Sequence, residues 1–417
     1  MNQGYEKMDK LIKGIYRTFA LLILVIGITG FGGLNGTFGL PYPVVVHAEG
    51  TDALNPDSVD LYFLESKYVE KIGDVPSEYA KSYQINVTGL EGTASYQIVS
   101  GSSYATVSSD GLVQPKATIW YKSGSYWTTA KVEGAETRTD YSAGTAVIRV
   151  TCGTYTKDIT FNVKSYSNMY VENRMNSIME EVITDGMTEY EKLNAITTWV
   201  GVNTDYSGYY QSCTDMLIFE CGDCWASTNT ILAFCDKLGI KAKSRRGNQD
   251  IGAGSGHRNV FAVCDGKYYI AEAGYSGTKP RGHSVYEEPY AFSVRGSTVY
   301  QYDGYDTDVV VPSEIKGTTI TGFGNGSASV FVSQEINSVS LPASITAIGD
   351  GALTGASGEY EIKVAEDNES FTVEDGILYN KDKTNLIIAS PKANNITIPA
   401  TVTTIGKAAI CGFTLDE

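Results

Sequence analysis

A segment near the carboxy terminus repeats itself. Leu341-Pro-Ala-Ser-Ile-Thr-Ala-Ile-Gly-Asp-Gly-Ala-Leu353 returns as Ile398-Pro-Ala-Thr-Val-Thr-Thr-Ile-Gly-Lys-Ala-Ala-Ile410, and a degenerate copy starts at Val311-Pro312-Ser-Glu-Ile315. Apolar residues hold the same places in each copy. A unit of this size cannot bury its apolar face alone, so copies must stack and share a core. Residues 311–417 are therefore expected to form a solenoid. Phe371-Thr-Val-Glu-Asp-Gly-Ile-Leu-Tyr-Asn-Lys-Asp-Lys383 is inserted between copies. The chain ends at Glu417, partway into a further unit. A solenoid end without a cap exposes its core, so the sequence reads as part of a longer one.

Chemistry enters upstream, in Cys221-Gly-Asp-Cys224-Trp-Ala-Ser. Apolar residues then recur at Ile231, Leu232, Phe234, Cys235 and Leu238, a helical spacing, and Gly239 stands where a helix ends. Asp223 reads as the N-cap and Cys224 as the first helical residue. A thiol there meets unpaired backbone N–H groups and the positive end of the helix dipole. Both favour the thiolate, which attacks carbonyl carbon.

A thiolate nucleophile needs a base. Beyond the first 48 residues the chain has two histidines, His257 and His283. Val260, Ala262 and Cys264 alternate away from His257, Asp265-Gly266 is a hairpin turn, and Tyr268, Ile270 and Glu272 return on a second strand. That pairing brings Glu272 level with His257, where a carboxylate holds an imidazole tautomer and stabilises its cation.

These residues resemble the transglutaminase-like superfamily, with its papain-like core. Gly222-Asp223-Cys224-Trp225-Ala226 matches its cysteine motif. His257…Asp265-Gly266-Lys267-Tyr268-Tyr269…Glu272 matches its histidine–acid pair, and Trp199-Val-Gly-Val-Asn-Thr-Asp-Tyr206 matches the segment before the cysteine. The resemblance spans about residues 167–310 and departs from the family twice. Glu272 stands where Asp is usual, and no aromatic residue follows His257 closely. It implies an α+β catalytic domain with Cys224 as nucleophile, His257 as base and Glu272 as the orienting acid. It implies no metal or organic cofactor.

Other readings of the same residues stand beside this one. A cysteine in an apolar helix is often a small buried hydrophobe. Cys221-x-x-Cys224 as a redox pair needs a thioredoxin-like strand before it, for which Thr214–Glu220 is a poor match. Zinc needs a second ligand pair at short spacing, which Cys213, Cys221, Cys235 and Cys264 do not supply. His283 reads as a loop histidine and as the fallback base. Tyr206, Tyr209 and Tyr210 either line a substrate cleft or are ordinary half-exposed tyrosines.

The composition narrows the setting. The chain carries 32 basic and 48 acidic residues, a formal net charge of -16, with no basic patch after the amino terminus. That argues against nucleic-acid binding. Lys7, Lys10, Lys13 and Arg17 precede an apolar run from Phe19 to Ile28, and Val46-His47-Ala48 suits a cleavage site. Residues 1–48 are expected to be a signal peptide or, uncleaved, a membrane anchor. Either places the rest at the cell surface or outside the cell. Seven cysteines leave at least one free thiol there. Cys213 and Cys221 are the nearest candidates for a disulfide.

Residues 49–166 read as short alternating strands: Tyr83–Val87, Ser95–Val99, Ala146–Val150 and Ile159–Val163. They suggest a β-sandwich and resemble bacterial Ig-like repeats, with an insertion near Trp120–Arg138. The repeats of 311–417 resemble bacterial surface-antigen leucine-rich repeats. The expectation is thus a multidomain chain: all-β Ig-like sandwich (49–166), α+β transglutaminase-like domain (167–310) and leucine-rich-repeat solenoid (311–417). Its expected partner is a protein or peptide substrate, host-derived or cell-wall associated, with water or an amine as acyl acceptor. The rival is a non-catalytic adhesin whose central domain is a scaffold.

Overall fold

Alternation along four strands builds the first sheet. β1 (Ser58–Phe63), β2 (Ser95–Ser100), β3 (Gly144–Cys152) and β4 (Tyr155–Ser165) stand in the order β1-β4-β3-β2. β1 runs parallel to β4, and the other pairs are antiparallel. In β4, Tyr155, Ile159, Phe161 and Val163 are buried while their neighbours reach solvent, the period of a half-buried strand. This computed structural model describes residues 54–246, 256–324, 329–331, 334–393 and 396–410. The expected signal or anchor, residues 1–48, lies outside the described residues.

Three of the expected strands fall inside β2, β3 and β4. The fourth, Tyr83–Val87, is confined to Tyr83–Gln84, because the Asn55 side chain binds the Asn86 backbone. Its Oδ1 accepts from the Asn86 N–H at 2.8 Å and its Nδ2 donates to the Asn86 carbonyl at 2.8 Å. Those backbone groups are then satisfied without a neighbouring strand. The segment around Trp120–Arg138 forms its own three-stranded sheet, with the Arg138 guanidinium over the rings of both Trp120 and Trp127.

Helices follow, each started by a side-chain cap. They are α1 (Tyr166–Val182, cap Ser165), α2 (Glu189–Asn203, cap Thr188), α3 (Cys213–Phe219, cap Ser212) and α4 (Cys224–Leu238, cap Asp223). α2 has a reciprocal box in which Thr188 and Glu191 cap each other's backbone. Val171, Met175 and Ile178 of α1 meet Leu193, Ile196 and Trp199 of α2 and Ile231 and Phe234 of α4 in one core. Residues 213–219 are helical, so no strand leads into the Cys221-x-x-Cys224 segment as a dithiol redox fold requires.

Against these helices lies an antiparallel sheet in chain order: β5 (Lys241–Arg246), β6 (Arg258–Cys264), β7 (Lys267–Glu272) and β8 (Ser284–Glu287). Asp265 and Gly266 join β6 to β7 with φ of 51° and 78°. Two successive positive φ values make a hairpin turn that matches strand twist.

Parallel ladders take over towards the carboxy terminus. β9 (Asp308–Val310), β10 (Ser338–Leu341) and β11 (Glu361–Val364) pair side by side, Asp308 opposite Ser338 and Ser338 opposite Glu361. Leu341, Ile345 and Leu353 of the first repeat copy are buried, whereas Ile398 and Ile405 of the second are exposed. The insert folds as an antiparallel hairpin, Phe371–Glu374 with Ile377–Asn380. One apolar core runs from Phe261 and Ile270 of the β5–β8 sheet through Phe323, Val339 and Ile362. The described chain is thus mostly β-sheet with few helices.

Candidate active site

The start of α4 is set by Asp223. Its Oδ1 accepts from the N–H of Trp225 at 2.8 Å and of Ala226 at 3.0 Å. At the other end Gly239 closes the helix with φ of 71°, a left-handed conformation that glycine adopts without strain. Cys224 is therefore the first helical residue, and it is only 8 % exposed.

The hairpin register carries Glu272 to the same spot. Val260 pairs with Ala271, so the next position sets Asn259 across from Glu272. Glu272 is fully buried and its carboxylate is divided between partners. Oε2 lies 2.6 Å from His257 Nε2 and accepts from Asn259 Nδ2 at 3.2 Å. Oε1 accepts from the Gly274 N–H at 2.6 Å. With Nε2 engaged, Nδ1 is the ring nitrogen left for Cys224, which lines the same cavity as His257. Burial disfavours the imidazolium, but the hydrogen bonds and charges of Cys224 and Glu272 outweigh it. Together they push His257 up to about 9.

A cavity of about 420 Å³ opens over these groups. It is lined by Tyr206, Asp223, Cys224, Trp225, Gly256, His257, Gly274, Tyr275 and Ser276. The Tyr275 ring is stacked on His257 with centroids 6.2 Å apart. Burial, then the Cys224 and Asp223 charges, raise the Tyr206 phenol. Of the three clustered tyrosines, Tyr206 alone lines this cavity. Tyr209 is 94 % exposed, and the Tyr210 ring stacks on Phe219 at 4.4 Å.

The other sequence candidates sit elsewhere. His283 packs against Gly201 and places its Nδ1 2.9 Å from the Arg281 carbonyl. Cys152, Cys213, Cys221, Cys224, Cys235 and Cys264 are all free thiols, so the expected candidate pair Cys213 and Cys221 is unbridged. Burial is the main cause that pushes Cys235 and Cys264 up to about 12, which keeps those thiols protonated and inert. Among the described residues no group of three or more His, Cys, Asp or Glu side chains converges to hold a metal ion. Nor is any described helix long and apolar enough to cross a membrane.

Sequence reasoning missed the supports of this site. Arg281, 2 % exposed, donates from Nη1 to the Gly222 carbonyl at 2.8 Å and from Nη2 to Ser227 Oγ at 2.6 Å. Ser227 Oγ in turn lies 2.9 Å from the Asp223 carbonyl and 3.0 Å from that of Ala273. The turn before Cys224 is thereby tied to the strand end after Glu272. Gly274 is the closest neighbour: a Cβ there would lie 2.6 Å from the Cys224 Cβ and 3.0 Å from Glu272 Oε1.

No family model matches the chain, and no curated protein matches its sequence. Several solved structures resemble parts of it. The pneumococcal vaccine antigen PcpA is 22 % identical over 23 % of this chain and 24 % of its own, with a TM-score of 0.20. A leucine-rich repeat protein from Eubacterium ventriosum is 30 % identical over 24 % of this chain and 26 % of its own, with a TM-score of 0.19. The chain thus spans about a quarter of the length of these two proteins. A proposed cysteine protease from Cytophaga hutchinsonii is 13 % identical over 46 % of this chain and 70 % of its own, with a TM-score of 0.22.

Proposed function

We propose that this chain is a secreted or cell-surface enzyme that transfers acyl groups through Cys224, in the manner of the transglutaminase-like superfamily. In this reading residues 167–310 are the catalytic unit, flanked by an Ig-like sandwich at 49–166 and leucine-rich repeats at 311–417. One observation carries it: the His257 imidazole, its Nε2 2.6 Å from the buried Glu272 carboxylate, lines one cavity with Cys224 at the start of α4.

His257 takes the thiol proton, and the Cys224 sulfur attacks a carboxamide or peptide carbonyl. Glu272 keeps the imidazole oriented and stabilises its cation. The oxyanion is met by the Cys224 backbone N–H at the helix start and by the Tyr206 hydroxyl from the cavity wall. His257 then returns its proton to the leaving nitrogen, leaving a thioester. Water entering next, its proton taken by His257, releases an acid. An amine entering instead releases a new amide.

Thiol labelling tests this. Accessibility alone favours the partly exposed Cys213 and Cys221 over the buried Cys224. A small alkylating reagent at neutral and mildly acidic pH, followed by peptide mapping, is expected to modify Cys224 first. Labelling that follows exposure overturns the enzymatic reading and leaves the central unit a scaffold.

A further inference from the structure

One buried cation braces both sides of the thiol. The Gly222 carbonyl accepts from Arg281 Nη1 at 2.8 Å and from the Ser207 N–H at 3.2 Å. Asp205 and Cys221 stand side by side in a parallel bridge, and the Gly222 N–H donates to the Asp205 carbonyl at 2.9 Å. Residues 205–207 are thus laced to the turn that precedes Cys224, and Arg281 closes the lace at Gly222. Tyr206, in the middle of that segment, lines the cavity together with Cys224. Arg281 Nη2 donates to Ser227 Oγ in the first turn of α4. The segment that carries Tyr206 and the helix start that presents the Cys224 N–H therefore share one guanidinium.

That guanidinium keeps unusual company. Among the described residues its hydrogen bonds go to neutral acceptors: the Gly222 carbonyl, Ser227 Oγ and, at 3.9 Å, the Met216 sulfur. Taking a cation out of water without an anion bonded to it is costly. Burial accordingly lowers Arg281, and the charges of Glu272, Tyr206, Asp205 and Asp223 resist this at longer range. The Arg281 charge in turn opposes the rise of the Tyr206 phenol. Backbone contacts and charge thus link the same two residues.

We propose that Arg281 is a positioning residue for acyl transfer, holding Tyr206 against the start of α4 and polarising its hydroxyl, so that this hydroxyl and the Cys224 N–H meet one oxygen. The proposal rests on the reading of Cys224 as the acylated nucleophile. An arginine suits the place because its planar fork bonds two segments at once. A cation beside a phenol makes the hydroxyl a stronger donor, and a donor fixed in advance needs no reorganisation when the oxyanion forms.

Two reagents separate this role from simple thiol reactivity. With p-nitrophenyl acetate the Cys224 sulfur adds to the carbonyl carbon and the electron pair moves to the oxygen. Its return expels p-nitrophenolate and leaves an acetyl thioester. With iodoacetamide the sulfur displaces iodide and no oxyanion forms. Both need the thiolate, so thiolate formation cancels from the ratio of acylation to alkylation at Cys224. Acylation is read in the full chain as the p-nitrophenolate release that Cys224→Ala lacks.

Arg281→Gln is expected to lower the ratio about tenfold, less than the roughly hundredfold or greater loss of a direct oxyanion donor. Arg281→Lys, which keeps the charge, should recover most of it. In Tyr206→Phe the same Arg281→Gln change should add little, because the donor it acts through is gone. The Tyr206 phenol, read as the ultraviolet titration that Tyr206→Phe lacks, should move to higher pH in Arg281→Gln. An unchanged ratio in Arg281→Gln, or an equal loss with and without the Tyr206 hydroxyl, overturns the proposal. Should Arg281→Gln fail to fold, Ser227→Ala removes the acceptor of Nη2 and leaves the charge. It should lower the ratio in the same direction, and an unchanged ratio there overturns the proposal as well. If Cys224→Ala releases p-nitrophenolate as fast as the wild type, the nucleophile reading fails instead.

Discussion

His257 Nε2 lies 2.6 Å from Glu272 Oε2, and the carboxylate is sealed from solvent. A buried carboxylate is costly unless its oxygens are satisfied. Here Asn259 and Gly274 share that task with the imidazole. The carboxylate is thus fixed before it orients anything. Glu272→Gln keeps the size of the side chain and removes its charge. His257, pushed up to about 9 in the wild type, should then titrate at lower pH, because burial remains and one anionic partner is lost. NMR titration of the imidazole measures this. Alkylation of Cys224 at neutral pH should slow in step, whereas Glu272→Asp should retain part of the rate.

Stability follows from the same shift. The folded pKa of His257, about 9, exceeds the usual value for an unfolded chain of about 6.5. Between those values the native state holds more protons than the unfolded one, so stability falls as pH rises. The contribution is complete below about pH 6.5 and is lost through about pH 9. Urea denaturation across that window should show a steeper decline for the wild type than for the double variant His257→Gln with Glu272→Gln. That reference removes both ionisable groups and cancels the buried thiols common to both proteins. Parallel curves would show that His257 carries no raised pKa.

Cys224→Ala should abolish acyl transfer, with a loss of several decades in rate by analogy with other triad deletions. The side chain is small and its removal leaves the Asp223 cap and the Arg281 contacts in place. Far-UV circular dichroism and the urea midpoint should therefore change little. Near-normal turnover in the alanine variant rules out the thioester mechanism.

The local elements of this site were legible in the sequence, and its supports were not. Asp223, Gly239 and the Asp265-Gly266 pair each act on their own backbone, so a short window contains both cause and effect. The helix start and the hairpin follow from them, and with these the positions of Cys224, His257 and Glu272 in their elements. Arg281 acts on Gly222 across a separation of 59 residues, which no window spans. Ser227 and Asn259 look like ordinary polar residues until packing removes them from water. The β-rich character of both ends was legible from alternation and repeat. That one core joins Phe261 to Ile362 was not, because apolar periodicity tells which face is buried and not what buries it.

Gly274 offers the sharpest structural test. In the register it follows Glu272 by two positions, returns its N–H to that carboxylate, and lies against Cys224. An alanine Cβ there would stand 2.6 Å from the Cys224 Cβ and 3.0 Å from the Cys224 Cα. Both are far inside van der Waals contact. Neither neighbour is the free end of a flexible side chain, since Cα and Cβ move only with the helix. Relief must come from a shift of α4 or of the strand end after β7, and either lengthens the path from thiol to imidazole. Gly274→Ala should therefore cost about 1–3 kcal/mol in urea denaturation, the usual range for overpacking. It should also slow Cys224 alkylation more than it slows labelling of the partly exposed Cys221. Gly266→Ala is the control: nothing stands within 4 Å of its Cβ position, and its φ of 78° alone strains the substitution. It should lose stability with little effect on the thiol. If Gly274→Ala behaves in the same way, the close approach of Gly274 to Cys224 does not govern the reactivity of the site.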